Sequence, residues 1–341
     1  MRRIWIPRAG KASILEVREE SDRAPAAGEV CIDVVAAGVN FADVLARTGM
    51  YPDAPPFPCV VGYEVSGRVR SVGDGVAEAR PELVPGRAVM ALTRFGGYSD
   101  LVCAHHAQVF ALPEELPVED AAALPVNYLT AWLALRRLAV VHPGDLVLIH
   151  NAGGGVGIAA TQLAKAAGAR TVGTSSPWKH AALIAGGLDH AIDYRSQSVT
   201  DEVRRIEARG ADVILNPIGG STVRRDLNLL APLDHLIVFG LSEPVAEGRR
   251  SWWRLLRSLI AMPRPGVLGL ISRNQSIAGL NIGHLWSDFD RFRAAGEYLL
   301  EDWKRGVIAP TIHARIPFGD AARAHEILQE RKNLGKVLLV P

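Results

Sequence analysis

The sequence predicts an α/β protein that combines a β-rich N-terminal domain with a doubly wound parallel sheet. Strand-like segments punctuated by Gly and Pro fill the first third of the chain, and β and α segments alternate after Asp145. A glycine-rich turn joins the first strand and helix of that alternating region. A chain of 341 residues with 48% hydrophobic content is long enough for about two domains.

The N-terminal third has the pattern of a compact β domain. Residues 29–39 and 62–73 have the composition of strands, and two shorter segments, PGRAVMAL and GYSDLVCAH, follow with glycines at their turns. Short strands at this spacing are typical of hairpins that close into a barrel-like sheet.

The pattern changes near Pro113, where EDAAALPVNYLTAWLALRRLA indicates helix. From Asp145 a strand (DLVLIH), an Ala-rich helix (VGIAATQLAKAAGA) and a second strand (RTVGTS) follow in turn, as in a parallel sheet. The last helices and strands are expected to return to the first domain. The predicted segments are the β domain (1–123), the alternating domain (124–285) and the returning tail (286–341).

Charge and cysteine content exclude several classes of function. Lys plus Arg is 38 and Asp plus Glu is 36, a net charge of +2 that provides no basic face for nucleic acid. Cys31, Cys59 and Cys103 lie far apart without a C-x-x-C pair, so we expect no zinc lobe, no disulfide framework and a reducing, cytoplasmic location. The apolar N-terminal run stops at Pro7, too short for a signal peptide, and no segment has the ~20 apolar residues of a membrane span.

The strongest local signal is the segment VLIHNAGGGVG. Ala152-x-Gly154-x-x-Gly157 is the Ala-started form of the dinucleotide-binding fingerprint, and it lies between a strand and a helix as that motif requires. Small residues let the backbone approach a pyrophosphate, whose charge is met by the helix N-terminus. The predicted cofactor-binding residues of the turn are Ala152, Gly154, Gly155, Val156 and Gly157.

The end of the second strand favours NADPH over NADH. NAD sites usually have an acidic residue about 20 positions after the glycine motif. Here the chain has hydroxyls and an ammonium instead, which accept a 2′-phosphate that a carboxylate would repel. Thr174, Ser175 and Lys179 are the predicted contacts, and the alternative for Lys179 is a solvated residue in the first turn of the next helix.

Five segments carry a resemblance to a known family: AAGVNFADVLARTGMYP, VVGYEVSGRVRSVGDGV, LPVNYLTAW, HNAGGGVG and GKVLLVP. In order and spacing they resemble the zinc-free quinone oxidoreductases of the medium-chain dehydrogenase/reductase superfamily, over nearly the whole chain. The vesicle amine transport protein homologues are the branch most similar to it, through DYRS, NLGKVLLVP and RRSWWRLLRSL. The resemblance implies a GroES-like catalytic domain, a Rossmann cofactor domain that binds NADPH, and a homodimer.

The resemblance also bears on metal and catalysis. Zinc-dependent relatives place Cys and His where this chain has Asn40 and Tyr63, which are poor zinc ligands, so no metal is expected. Hydrogen-bond donors must then stabilise the substrate oxygen, and the resemblance implies Asn40 and Tyr51 as catalytic residues. The alternatives are a turn residue after Gly38 for Asn40 and packing in a Pro-rich loop for Tyr51. Leu45, where relatives often have tyrosine, indicates a more apolar pocket.

Five further residues receive roles from the resemblance alone. Thr130 backs the nicotinamide, Tyr194 lies near the adenosine phosphate, and Gly240 lets the cofactor pass close to the backbone. Lys336 touches the cofactor from the C-terminal tail, and Arg273 reaches the substrate.

An arginine-rich segment keeps a second function open. Six arginines and no acid lie between Gly248 and Asn274, and in a helix three of them would share one face beside Trp and Leu: Arg250, Arg254 and Arg257. Residues 249–260 could thus contact an anionic membrane, or their apolar face could cover another part of the protein while the arginines stay solvated. Two hypotheses follow: an NADPH-dependent reductase of a quinone or α,β-unsaturated carbonyl, and an NADPH-binding lipid- or membrane-interaction protein with weak or no catalysis.

Overall fold

A computed structural model describes residues 1–242, 260–285 and 288–341 of the chain. These residues form two compact units, which we call unit 1 (Met1–Leu129 with Gly283–Pro341) and unit 2 (Thr130–Ile282). Arg250, Arg254 and Arg257 lie outside the described residues, as does the rest of the predicted membrane segment up to residue 259.

Strands and helices of the described residues are numbered in chain order. The strands are β1 (Arg2–Trp5), β2 (Glu16–Glu19), β3 (Glu29–Val39), β4 (Glu64–Val72), β5 (Ala88–Leu92), β6 (Leu101–His105), β7 (Val109–Ala111), β8 (Leu146–His150), β9 (Arg170–Ser175), β10 (His190–Asp193), β11 (Ala211–Asn216), β12 (Leu230–Val238), β13 (Ser276–Gly279), β14 (Ile312–Pro317) and β15 (Lys336–Val340). The helices are α1 (Phe41–Arg47), α2 (Val76–Ala79), α3 (Val118–Ala121), α4 (Pro125–Trp132), α5 (Gly155–Ala166), α6 (His180–Ala185), α7 (Val199–Ile206), α8 (Thr222–Leu229), α9 (Val267–Arg273), α10 (Phe289–Lys304) and α11 (Ala321–Gln329).

Unit 2 is built on a six-stranded parallel sheet in the order β10-β9-β8-β11-β12-β13. Strands of such a sheet are covered on both faces and are therefore apolar throughout, and every residue of β8 and β11 is buried. The strand order reverses between β8 and β11, so the turns that follow their carboxyl ends open a crevice between them. The predicted doubly wound parallel sheet is confirmed.

Unit 1 contains a seven-stranded sheet in the order β14-β15-β3-β4-β5-β7, with β6 paired to β3. Near its carboxyl end β3 pairs with β15, with Val39 opposite Val337, and also with β4, with Ala37 opposite Val65. The end of β3 and the starts of β4 and β15 therefore meet, although they are far apart in the sequence. This meeting point positions the side chains described below.

Two of the three cysteines form a disulfide. Cys31 on β3 lies opposite Cys103 on β6, with their Cα atoms 3.9 Å apart, while Cys59 is free and buried. The expectation of no disulfide framework is therefore wrong for this pair. Residues 72 positions apart in the sequence become direct neighbours when β3 and β6 pair, and sequence spacing does not reveal that pairing.

No helix in the part of the chain described has both the length and the apolar composition needed to cross a membrane.

Candidate active site

The glycine turn of unit 2 connects the end of β8 to the start of α5, and Gly154 is the N-cap of that helix. A Cβ added to Gly157 would lie 2.5 Å from the carbonyl oxygen of Asn151 and 2.6 Å from Cα of Ala152. Only glycine therefore lets α5 pack this closely on the turn. Gly155 and Val156 form the first turn of α5, whose backbone N–H groups lack intrahelical acceptors and are suited to an anion.

The end of β9 lies against this turn. Lys179 is only 3% exposed, and a Cβ added to Gly153 would lie 2.5 Å from its Cδ atom. The Lys179 ammonium is 5.1 Å from the ring centroid of Trp178, a cation–π distance. The alternative of a solvated Lys179 is therefore wrong, because its side chain is buried across the glycine turn.

The two hydroxyl residues predicted beside Lys179 are also buried at the end of β9. The Thr174 hydroxyl lies 3.1 Å from Nδ1 of His150, so it already takes part in a hydrogen bond inside unit 2. Within the part of the chain that the structure describes, the Ser175 hydroxyl has only a 3.5 Å contact with the carbonyl oxygen of Ser176, a weak bond at best. Of the two hydroxyls, that of Ser175 is therefore held by the weaker hydrogen bond.

A buried polar network beneath the turn escaped sequence reasoning. Asp226 on α8 lies 3.1 Å from Nε2 of His150 and accepts a 2.5 Å hydrogen bond from Nδ2 of Asn216. Burial raises the pKa of the Asp226 carboxyl, but His150 and Arg225 outweigh burial and hold it below the usual range. The local sequence gives no signal for this network because its members come from β8, β11 and α8.

The network also fixes the turn after β11. Oδ1 of Asn216 accepts backbone hydrogen bonds from Ile218 at 2.8 Å and from Gly219 at 2.9 Å. A Cβ added to Gly240 would lie 2.6 Å from the carbonyl oxygen of Pro217, so the turns after β11 and β12 meet at that glycine. Gly240 is therefore a point where two turns of the protein approach closely, and its predicted position beside the cofactor stays a prediction.

Three other predicted residues of unit 2 are spread over separate places. Thr130 is buried on α4, and Tyr194 packs on the core of the parallel sheet. Arg273 ends α9 and donates a 2.9 Å hydrogen bond to Oδ1 of Asn228. It lines a cavity of about 420 Å³ together with Arg224 and Arg264, and its predicted contact with substrate stays a prediction.

In unit 1 three buried polar side chains meet where β3 ends and where β4 and β15 begin. Nδ2 of Asn40 donates to Oε1 of Glu64 at 2.8 Å, and Nζ of Lys336 donates to Oδ1 of Asn40 at 2.7 Å. Lys336 also forms an ion pair with Glu64, and the backbone N–H of Val126 donates to the second carboxylate oxygen of Glu64 at 2.7 Å. We call Asn40, Glu64 and Lys336 the polar triad. The Lys336 ammonium is thus bonded within unit 1, and its predicted contact with a cofactor stays a prediction.

Asp43 on α1 holds the backbone around the polar triad. Its carboxylate accepts hydrogen bonds from the backbone N–H of Asn40 at 2.8 Å, from that of Gly62 at 3.0 Å, and from the Tyr98 hydroxyl at 3.1 Å. Burial raises the pKa of Asp43 to about 7 although these hydrogen bonds favour the ionised form. Asp43 therefore fixes the two turns that carry Asn40 and Tyr63.

A directed chain of hydrogen bonds continues from Asp43. Burial and the charge of Arg47 lower the pKa of His325 to about 3, so this histidine is neutral. Its Nδ1 accepts from Nε of Arg47 at 3.2 Å, which leaves the proton on Nε2, 3.1 Å from the Tyr98 hydroxyl. His325 therefore donates to Tyr98, and Tyr98 donates to Asp43.

Tyr51 lies in the loop after α1 and contacts the tyrosine that precedes Glu64. The rings of Tyr51 and Tyr63 meet edge to face with centroids 6.3 Å apart, and Phe95 lies 5.3 Å from Tyr63 on the same measure. The two predicted catalytic residues thus flank one dipeptide, with Tyr51 beside Tyr63 and Asn40 bonded to Glu64. Both roles stay predictions.

The chain is similar to known proteins over nearly its whole length. Sequence profiles described as "Alcohol dehydrogenase GroES-like domain" and "Zinc-binding dehydrogenase" match residues 26–114 and 155–295. The chain is 37% identical to the human synaptic vesicle membrane protein VAT-1 homolog over 328 residues. These aligned residues cover 96% of this chain and 82% of that protein. It is 31% identical over 321 residues to quinone oxidoreductase of Sus scrofa, over 93% and 90% of the two chains. The structure of Escherichia coli quinone oxidoreductase complexed with NADPH matches with a TM-score of 0.87 and 28% identity over 100% of both chains.

Proposed function

The chain belongs to the quinone oxidoreductase-like family of the medium-chain dehydrogenase/reductase superfamily, and on this basis we propose that it is an NADPH-dependent, zinc-independent oxidoreductase that transfers hydride to a quinone or an α,β-unsaturated carbonyl. One observation carries the proposal: a glycine turn at a helix N-terminus with a buried lysine across it. The turn suits a pyrophosphate, and the lysine suits a further phosphate.

The residues of unit 2 fit the cofactor. Gly154, Gly155 and Gly157 would hold the pyrophosphate with backbone amides, and Lys179 with Ser175 would meet the 2′-phosphate. The space beside Gly153 and Gly157 is too narrow for any Cβ, as a surface shaped for close backbone approach requires. Bound NADPH supplies the hydride.

The polar triad orients a donor for the substrate side. Lys336 can only donate, so Oδ1 of Asn40 must point to it and Nδ2 must point away. One N–H of Nδ2 is bonded to Glu64, and within the described residues the other has only a 3.5 Å contact with the carbonyl oxygen of Gly38. This weakly held N–H can bind a substrate oxygen or the nicotinamide ribose, and Tyr51 offers a second donor.

Zinc independence is supported by the donor set. The Lys336 ammonium is bonded to both Asn40 and Glu64, so a cation already compensates the buried carboxylate. Among the described residues no three His, Cys, Asp or Glu side chains are grouped as a metal site requires.

NADPH oxidation tests the proposal, with benzoquinone, phenanthrenequinone and short- and long-chain enones as substrates and NADH as the control. Turnover with a preference for NADPH is the expected result. Lys179→Ala should weaken NADPH binding about 10- to 100-fold, because it removes a charge-assisted hydrogen bond, and should leave NADH binding nearly unchanged. Equal loss for both cofactors would remove Lys179 from the 2′-phosphate site.

We further propose that the protein is a homodimer. β13 pairs on one side with β12 and, within the described residues, has no strand on its other side, an edge that a second copy could extend. Sedimentation analysis tests the dimer. The Cys31–Cys103 disulfide argues against the cytoplasmic location expected from the sequence, because cytosolic thiol pools keep most cysteines reduced.

The alternative function is an NADPH-binding protein that contacts lipid. It is favoured by α9, where Val267, Leu268 and Ile271 are 73%, 81% and 63% exposed beside the basic side chains of Arg264 and Arg273. Flotation with vesicles containing phosphatidylserine tests it: binding that falls with salt and is lost in Leu268→Glu supports this function. Turnover without flotation supports the reductase alone.

A further inference from the structure

The Tyr63 hydroxyl is buried beside the Tyr51 phenol. The side chain is 5% exposed, and within the described residues its hydroxyl oxygen has no hydrogen-bond partner. Buried polar groups in native proteins are nearly always paired, because an unpaired hydroxyl loses its bonds to water and gains none in return. Among the described residues the Tyr51 side chain interacts with this hydroxyl but does not form a hydrogen bond of full geometry, so the hydroxyl can still donate to a ligand oxygen.

The backbone around Tyr63 is fixed on both sides. The preceding residue, Gly62, adopts a φ of +104° and donates its N–H to Asp43, and a Cβ added to it would lie 2.6 Å from the Tyr98 ring. The carbonyl oxygen of Tyr63 accepts a 2.7 Å hydrogen bond from the N–H of Thr93. The phenol is thus held in place before any ligand arrives.

The ring environment of Tyr63 is aromatic and its phenol stays protonated. Tyr51 and Phe95 contact the ring, and the carboxyl groups of Asp43 and Asp53 lie near the phenol. Burial, reinforced by the nearby Asp43 and Tyr51, raises the pKa of Tyr63 well above its usual range. A fixed, protonated donor in such surroundings interacts most strongly with an oxygen that gains negative charge.

We propose that Tyr63 donates a hydrogen bond from its phenol to the substrate oxygen and, together with Tyr51, selects carbonyl compounds as substrates. This inference rests on the proposed reductase function. In the enone reaction, hydride from NADPH adds to the β-carbon and leaves NADP⁺. The π electrons of the C=C bond move toward the carbonyl to form an enolate, whose oxygen is held by the Tyr63 O–H. The α-carbon then takes a proton from solvent, and the phenol keeps its own proton throughout.

Tyr63→Phe tests the inference because it removes only the hydroxyl. With cyclohex-2-enone, kcat/KM is expected to fall about 100- to 1,000-fold, the range for loss of one oxyanion donor. The dissociation constant of NADPH should not change, and Tm should change little, because among the described residues the hydroxyl has no hydrogen bond of full geometry to lose. Tyr298→Phe, on the half-exposed surface of α10, is the matched control and should leave kcat/KM unchanged.

Enone binding in the presence of NADP⁺, which cannot donate hydride, separates this inference from the proposed function. A dissociation constant for cyclohex-2-enone that rises at least about fivefold in Tyr63→Phe supports the inference even if the wild-type protein shows no turnover. Equal affinity in the two proteins, or no binding by either, overturns it. A loss of turnover that matches a loss of folded protein also overturns it, because the hydroxyl would then be structural.

Discussion

The glycine turn of unit 2 and the polar triad of unit 1 solve different physical problems. The turn works through backbone amides and through the absence of side chains, and its residues Ala152–Gly157 are consecutive. The triad works through buried side chains from β4, β15 and the residue that follows β3, and its charge requires partners that sequence neighbours do not provide. An anion-binding site can therefore be formed by one local segment of the chain, whereas a buried ion pair that orients a hydrogen-bond donor depends on tertiary structure.

Removal of the cation from the triad should have the largest effect on stability. Lys336→Met leaves Glu64 buried and unpaired, so the free energy of unfolding in urea should fall by about 3–5 kcal/mol. Lys332→Met is the matched control, since Lys332 pairs with Glu330 at the surface with 70% of its side chain exposed. This substitution should leave the free energy of unfolding nearly unchanged.

The double variant Lys336→Met with Glu64→Gln sharpens this test. It should recover part of the lost stability, because no uncompensated charge stays buried. A double variant no more stable than Lys336→Met would show that packing, not charge, dominates the triad.

Asp43 should make the stability of unit 1 depend on pH in an unusual direction. Its pKa is about 7 in the folded protein against an ordinary value of 3.8, so the folded state favours the protonated form. The stability that this preference contributes is complete below about pH 4 and is lost as pH rises through 7, a change of up to about 4 kcal/mol. Relative to Asp43→Asn, the wild-type protein should thus lose stability from pH 4.5 to 7.5.

Unfolding free energies of both proteins across that pH range provide the measurement. His325, whose low pKa acts in the opposite direction, is common to both proteins and cancels in the difference. Parallel pH curves for wild type and Asp43→Asn would contradict the shifted pKa.

The disulfide should distinguish the two units by their response to reductant. All three cysteines belong to unit 1, so dithiothreitol should lower the stability of unit 1 by about 2–4 kcal/mol and leave NADPH binding to unit 2 unaffected. Cys103→Ser should abolish the response to reductant, whereas Cys59→Ser should keep it. Alkylation of the unfolded, unreduced protein should modify one cysteine, and modification of all three would show that the pair is reduced.

A single methyl group in the glycine turn should have the smallest effect on folding. Gly157→Ala places a Cβ against Asn151 and Ala152, an overpacking that costs about 1–3 kcal/mol and displaces the amides that meet the pyrophosphate. Gly269→Ala on α9 is the control, since nothing lies within 4 Å of its added Cβ. The control should be neutral or more stable by about 1 kcal/mol, and calorimetry with and without NADPH compares the two.

The sequence predicted what depends on local pattern. The strands, the helices and the glycine turn follow from periodicity and from glycine spacing, and the parallel sheet follows from their alternation. Asn40 was found through a motif, but its bonds to Glu64 and Lys336 were not, because they need β3, β4 and β15 to be paired first.

The residues that sequence reasoning missed share one property: their partners are distant in the sequence. Cys31 and Cys103 meet through strand pairing, and His150 meets Asp226 through packing of α8. Tyr63 was interpreted only as a missing zinc ligand, because an unpaired hydroxyl cannot be recognised until its surroundings are known.

The sequence separation within the polar triad has a consequence for protein synthesis. Lys336 follows Glu64 by 272 residues, and all of unit 2 is translated between them. At a translation rate of about 5–20 residues per second, roughly 15–55 s pass between the synthesis of Glu64 and the synthesis of Lys336. Unit 2 is thus expected to fold first on the nascent chain, while unit 1 stays open until β15 is released and joins β3.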